Sequence, residues 1–113
     1  MVEGKESEEE RKRKNIEDYQ LAQQQLQLIE LQRQQMKMQI EEIEHALTEL
    51  KKTKGDVYKI VGPILIHAEK DEIEKDLIEK KEFFASKSDI LEKQEDRMKK
   101  TLTELRKTIE SYR

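Results

Sequence analysis

The chain has no cysteine and no tryptophan, one proline, three glycines, and only three tyrosines and two phenylalanines in 113 residues. Without cysteine there are no disulfides, no thiolate metal sites and no cysteine nucleophile. With 34% hydrophobic and 4% aromatic residues, one domain is the ceiling and a thick packed core is excluded. Long apolar runs are missing too. The longest nonpolar stretch is the seven residues 60–66, far short of the roughly 20 that a membrane helix requires. The first ten residues, MVEGKESEEE, lack the apolar core of a secretory signal. Nor does one charge dominate: 23 Lys and Arg face 26 Asp and Glu, for a net charge of −3, so the basic footprint of a general nucleic-acid binder is absent. A soluble cytoplasmic protein is expected, with no nucleic-acid or membrane partner.

What is present is charge, 43% of all residues, which suits either disorder or long helices with a narrow apolar stripe. Periodicity decides between them. From residue 16 to 54 there is neither Gly nor Pro, and with Tyr19 at heptad position a the a series is Tyr19, Leu26, Arg33, Ile40 and Leu47. The d series is Ala22, Ile29, Met36, Ile43 and Leu50, so nine of the ten are apolar. Five heptads in one register specify an amphipathic helix. Arg33 is the exception; its aliphatic stem can lie along the stripe, with Glu92 and Glu95 of a second helix as candidates for its charge. Lys51, Lys52 and Lys54 suit the negative end of a helix, and Gly55 offers a left-handed stop just beyond it. Ahead of this helix, Glu8, Glu9 and Glu10 stand four residues before Lys12, Arg13 and Lys14, which favours a fraying helical extension.

The period then changes. Residues 57–61 and 64–67 are rich in β-branched side chains and flank Gly62-Pro63, the pattern of a hairpin. Gly tolerates the positive φ at the first central position of a type II′ turn, and Pro the negative φ at the second. From Asp71, an expected N-cap with Glu74 three residues on, a second helix carries the a series Leu77, Phe84, Leu91, Met98, Leu105 and Tyr112. Its d series is polar: Ile73 is followed by Lys80, Lys87, Gln94, Thr101 and Thr108. Phe83 and Ile90, then Leu102 and Ile109, take over, which reads as a four-residue stutter between Gln94 and Leu102.

Two such helices bury their stripes only by folding back on each other. The expected fold is therefore mainly α: two long helices form an antiparallel coiled coil and are joined by a β-hairpin. The expected organisation is a charged, frayed extension over residues 1–14 and a single domain over 15–113, with helix 15–54, hairpin 56–68 and helix 71–113. A lone hairpin that is apolar on both faces is marginal in water. Assembly with other hairpins into an oligomeric β-barrel hub would bury both faces and remove the edges; folding down onto the helix ends is the alternative. The second unexplained feature is the stretch 19–40, where only Glu30, Arg33 and Lys37 are charged and Leu21, Leu28, Leu31 and Met38 lie off the stripe. These form either a further contact surface adaptable to differing apolar ligands, a contact with a second coiled coil, or scattered surface leucines.

The segment VYKIVGPILI at 57–66, set between a Gln-rich helix and a second helix carrying LEKQEDR at 91–97, closely resembles the beta class of prefoldin subunits. The resemblance covers residues 16–112. The Gly-Pro turn looks like the sixth eukaryotic subunit, and the rest like archaeal beta subunits. It implies a prefoldin-like domain in an ATP-independent holdase without cofactor, a hexamer of two alpha-class and four beta-class subunits whose hairpins form a double barrel. Its partners would be alpha-class subunits, other beta-class copies, unfolded polypeptides and a group II chaperonin that receives them. Carried onto this sequence, oligomerisation falls to Val57, Tyr58, Ile60, Val61, Ile64, Leu65 and Ile66. Capture of unfolded chains at the coiled-coil tips falls to Leu21, Leu28 and Leu31, with Leu105, Ile109 and Tyr112 where fraying exposes them.

An enzyme is not expected. His45 falls on an outward heptad position and His67 at a strand end, with no Gly-rich phosphate loop and no pocket for a carboxylate pair. Glu42 with His45, or His67 with Glu69, falls short of a metal ligand set. The competing reading is a coiled-coil scaffold or spacer without general chaperone activity, which would bind one discrete partner.

Overall fold

The computed structural model describes residues 7–112, and the remainder of the charged extension, residues 1–6, lies outside them together with residue 113. The order is α1 (Glu8–Lys52), β1 (Val57–Val61), β2 (Ile64–Ala68) and α2 (Lys70–Glu110). At 1.5 Å per residue the 45 residues of α1 run for about 68 Å and the 41 of α2 for about 62 Å. Helix α1 begins at Glu8, seven residues before the expected start, because Ser7 caps it. The Ser7 Oγ accepts the Glu10 amide at 3.1 Å, which satisfies one of the orphan donors of the first turn. Glu8, Glu9 and Glu10 add negative charge at the positive end of the helix.

The other end of α1 closes differently from the sequence expectation. Gly55 is not left-handed, since Gly62 is the one glycine with positive φ among the described residues. The helix ends at Lys52, and Thr53 folds back to donate its amide and its hydroxyl to the Glu49 carbonyl, at 3.1 and 2.8 Å. The Lys70 ammonium then donates to the Thr53 carbonyl at 3.0 Å, a cation from the next helix serving the negative terminus. Asp71 is likewise not the N-cap of α2. The helix already includes Lys70, and Ile73 donates its amide to the Glu69 carbonyl at 3.1 Å; Asp71 and Glu72 serve as first-turn acids instead.

Two compact units make up the chain: residues 33–90 form one, and α1 up to Gln32 with α2 from Leu91 forms the other. Each contains an antiparallel pair of helical segments. In the hairpin unit Glu44 pairs with Lys81 at 3.3 Å, and Thr53 lies against Lys70. In the terminal unit Asn15 donates to the Tyr112 hydroxyl at 3.0 Å.

Burial along α1 follows the expected heptad without exception. From Asn15 to Leu50 the side chains withdrawn from solvent alternate at steps of four and three through all ten predicted a and d positions, Arg33 included. On α2 the expected stutter is absent. Its withdrawn positions from Leu77 onward are Lys81, Phe84, Ser88, Leu91, Glu95, Met98, Leu102, Leu105, Ile109 and Tyr112, again steps of four and three. Lys80, Lys87, Gln94, Thr101 and Thr108 are exposed, and so are Phe83 and Ile90 at 56% each. The second seam series is thus occupied by Lys81, Ser88 and Glu95 before it turns apolar at Leu102. Phe83 instead packs edge-on to Phe84, with the Lys87 ammonium 5.1 Å from its ring centre.

The core is thin, as the composition requires. Among the described residues only Ala22, Ile43, Leu50 and Ala68 are buried apolar side chains, and no large side chain is completely enclosed.

Candidate functional site

The hairpin has a two-residue loop, because Val61 pairs with Ile64, and its register continues through Ile60 with Leu65, Lys59 with Ile66, Tyr58 with His67 and Val57 with Ala68. Gly62 has φ +58°, which with Pro63 confined to negative φ leaves a type II′ turn. Since side chains alternate along a strand and directly paired residues share a face, Tyr58, Ile60, Leu65 and His67 form one face. Val57, Lys59, Val61, Ile64, Ile66 and Ala68 form the other. The second face meets the helices only at its base, where Ala68 is buried, Val57 half-buried, and Lys59 reaches Glu72 at 3.6 Å. Everything beyond is open: Ile60 is 76% exposed and Leu65 68%, with Tyr58, Val61, Ile64 and Ile66 also exposed. A contiguous apolar surface of this kind on a two-stranded sheet with both edges unpaired marks an interaction site.

The terminal unit carries a second apolar surface, outside its own seam. Leu21, Leu28 and Leu31 are 54, 56 and 52% exposed, while Ala22, Leu26 and Ile29 between them are withdrawn, as is Tyr19 before them. Leu105, Ile109 and Tyr112 are half-buried on the side of α2 that forms the seam, and Tyr112 is held by Asn15. Besides Asn15, this seam holds the polar Glu95, 7% exposed, whose carboxylate meets the Lys99 ammonium at 2.9 Å. The sequence places Glu95 near Arg33 as a candidate for its charge but not in the seam itself, because a carboxylate at a seam position has no hydropathy signal.

The sequence model of the family described as "Prefoldin subunit" matches residues 13–112, nearly the whole chain. The chain belongs to the beta class of this family. A prefoldin subunit beta of Archaeoglobus fulgidus is 34% identical over 94 residues, 81% of each chain. One from Methanocella arvoryzae is 37% identical over 68 residues, 58% of this chain and 54% of that one. The crystal structure of the prefoldin beta subunit from Thermococcus strain KS-1 superposes with a TM-score of 0.84 at 31% identity, covering 89% of this chain and 90% of that one. Two long helices with an antiparallel hairpin between them are therefore the prefoldin beta fold, in a chaperone family.

Seen as a prefoldin subunit, the chain places its seven predicted oligomerisation residues together on the hairpin, six of them exposed. The six predicted capture residues divide into three outward leucines on α1 and three half-buried residues on α2. His45 is exposed on α1, and His67 lies 3.6 Å from Asp56 and edge-on to Tyr58. Among the described residues no group of acidic or histidine side chains is arranged to hold a metal ion, and no helix is long and apolar enough to cross a membrane.

The Glu95–Lys99 pair predicts a pH dependence. The hydrogen bond that Lys99 donates to Glu95, and then the charge of Glu95, raise the Lys99 pKa above the ordinary lysine value of 10.5. A lysine whose folded pKa lies above its unfolded one contributes stability that is fully present below the unfolded pKa and is lost as pH rises through the folded one. The small stability advantage over Lys99→Gln should therefore hold from neutral pH to about 10 and disappear in more alkaline solution. Thermal melts of both proteins across that range check it; a gap that does not change with pH would assign the pair no electrostatic contribution.

Proposed function

We propose that this prefoldin subunit works as an ATP-independent holdase: it joins alpha-class and further beta-class subunits through the hairpin, captures unfolded polypeptides near the free ends of its helices, and passes them to a group II chaperonin. The observation that carries this reading is the hairpin. It leaves Tyr58, Ile60, Val61, Ile64, Leu65 and Ile66 exposed on two faces, an arrangement suited to cover by other chains. Closure of several such hairpins into a β-barrel hub removes every edge and leaves the helices free to carry the client surface.

The outward leucines of α1 support capture by their setting. They lie in a stretch with few charges and many glutamines, so the apolar contact is not contested by fixed ion pairs. Binding of this kind uses exposed side chains and needs no nucleotide, metal or covalent step.

Size exclusion coupled to light scattering, on the chain alone and mixed with an alpha-class prefoldin subunit, tests the assembly. Aggregation of a denatured test protein without nucleotide tests the capture. A defined mixed oligomer that keeps the test protein soluble is expected. A monomer or dimer that ignores the alpha-class partner and leaves aggregation unchanged would favour a coiled-coil spacer.

A further inference from the structure

In the terminal unit the two helices leave an open groove of about 390 Å³ along one flank, within the size range of ligand sites. Leu28, Ile29 and Met98 supply its apolar surface, Gln25 and Gln94 its amides, and Arg97 its one charge. Arg97 is exposed and makes no ion pair among the described residues. Its neighbours at helical spacing are Lys93, Gln94, Lys100 and Thr101, none of them acidic, and the residues of α1 that line the groove are Gln25, Leu28 and Ile29. Asp96 and Glu104 line the next groove on α2 beside Arg97, but neither pairs with it, and no carboxylate lines the groove that Leu28 and Met98 share.

From this charge complementarity we infer that the groove takes extended segments of unfolded polypeptide in which a large apolar side chain is flanked by Asp or Glu. The inference rests on the holdase reading and deepens it, giving capture a sequence preference. The apolar side chain covers Leu28 and Met98. The Gln25 and Gln94 amides each offer both a donor and an acceptor to a peptide backbone, which an extended segment has free and a folded one does not. The flanking carboxylate of the client supplies the anion that Arg97 lacks, in the planar two-point geometry that favours arginine. Lys93 and Lys100, one turn to either side on α2, extend the same sign of charge.

The test uses the oligomer assembled with an alpha-class subunit and three labelled, unstructured ten-residue peptides that differ only at two positions flanking a pair of leucines: Glu, Gln or Lys. Fluorescence anisotropy should show the Glu peptide binding about two- to fivefold more tightly than the Gln peptide, and the Lys peptide most weakly. The preference should shrink in 0.5 M salt, where the screening length falls to a few ångströms, about 4 Å. Arg97→Glu should invert the order, and Leu28→Ser should weaken all three alike. Equal binding of the three peptides, or an order unchanged by Arg97→Glu, would overturn the inference. So would a concentration-dependent rise in mass beyond the mixed oligomer that Leu28→Ser abolishes, since a second coiled coil would then occupy the groove. If no peptide binds while the oligomer still suppresses aggregation, the groove fails and the holdase stands; if suppression is absent too, both readings fall.

Discussion

Replacing Ile60 and Leu65 by serine is expected to abolish hub assembly while leaving the isolated chain folded. The two are cross-strand partners on the open hairpin face and are 76% and 68% exposed, so the single chain loses almost no buried surface when they are truncated. An assembly that covers them loses the transfer of both side chains. At about 1.5–3 kcal/mol per large apolar side chain, each hairpin forfeits about 3–6 kcal/mol, a factor on the order of 10²–10⁴ in its association constant. Circular dichroism should show unchanged helix content, and light scattering with the alpha-class subunit should show the mixed oligomer gone. If the double variant assembles as well as the native chain, the hub is not built on this face. Substituting Val61 and Ile64 would then test the opposite face.

Serine at Leu21, Leu28 and Leu31 together should leave assembly intact and remove most aggregation suppression. Each of these leucines is about half exposed, so covering what remains is worth about half a full burial. Three of them give about 2–4 kcal/mol, roughly 30- to 1000-fold in affinity for an apolar client. The readout is the amount of oligomer needed to hold a denatured protein soluble, beside a light-scattering check of its mass. Unchanged suppression with an intact oligomer would move capture elsewhere. Leu105, Ile109 and Tyr112 offer no equally clean test, because they are half-buried in the seam and their truncation would lower stability along with capture.

Helix α1 was legible at the level of single side chains. Its ten predicted seam positions are apolar except Arg33, so hydropathy and burial carry the same period. Its first two turns, residues 8–14, were legible only as a fraying helical extension, although Ser7-Glu8-Glu9-Glu10 has the spacing of a capping box. The hairpin, its turn and its two apolar faces were also legible, because β-branched residues around Gly-Pro admit few other local structures.

Helix α2 shows where sequence reading stops. Ile90 and Phe83 had the stronger claim to the seam by hydropathy, yet Ser88 and Glu95 are withdrawn from solvent while those two are exposed. A helix has one period, and with Leu91, Met98, Leu105 and Tyr112 facing the partner the seam also runs through the positions three residues before them, Ser88, Glu95, Leu102 and Ile109, whatever they hold. The apolar spacing in each helix thus determined by itself that this chain forms paired long helices around a hairpin, since no other arrangement buries so narrow a stripe. Only the tertiary structure decided which polar side chains enter the seam and which apolar ones are left outside it, because that choice depends on the facing helix and not on the residue's own preference.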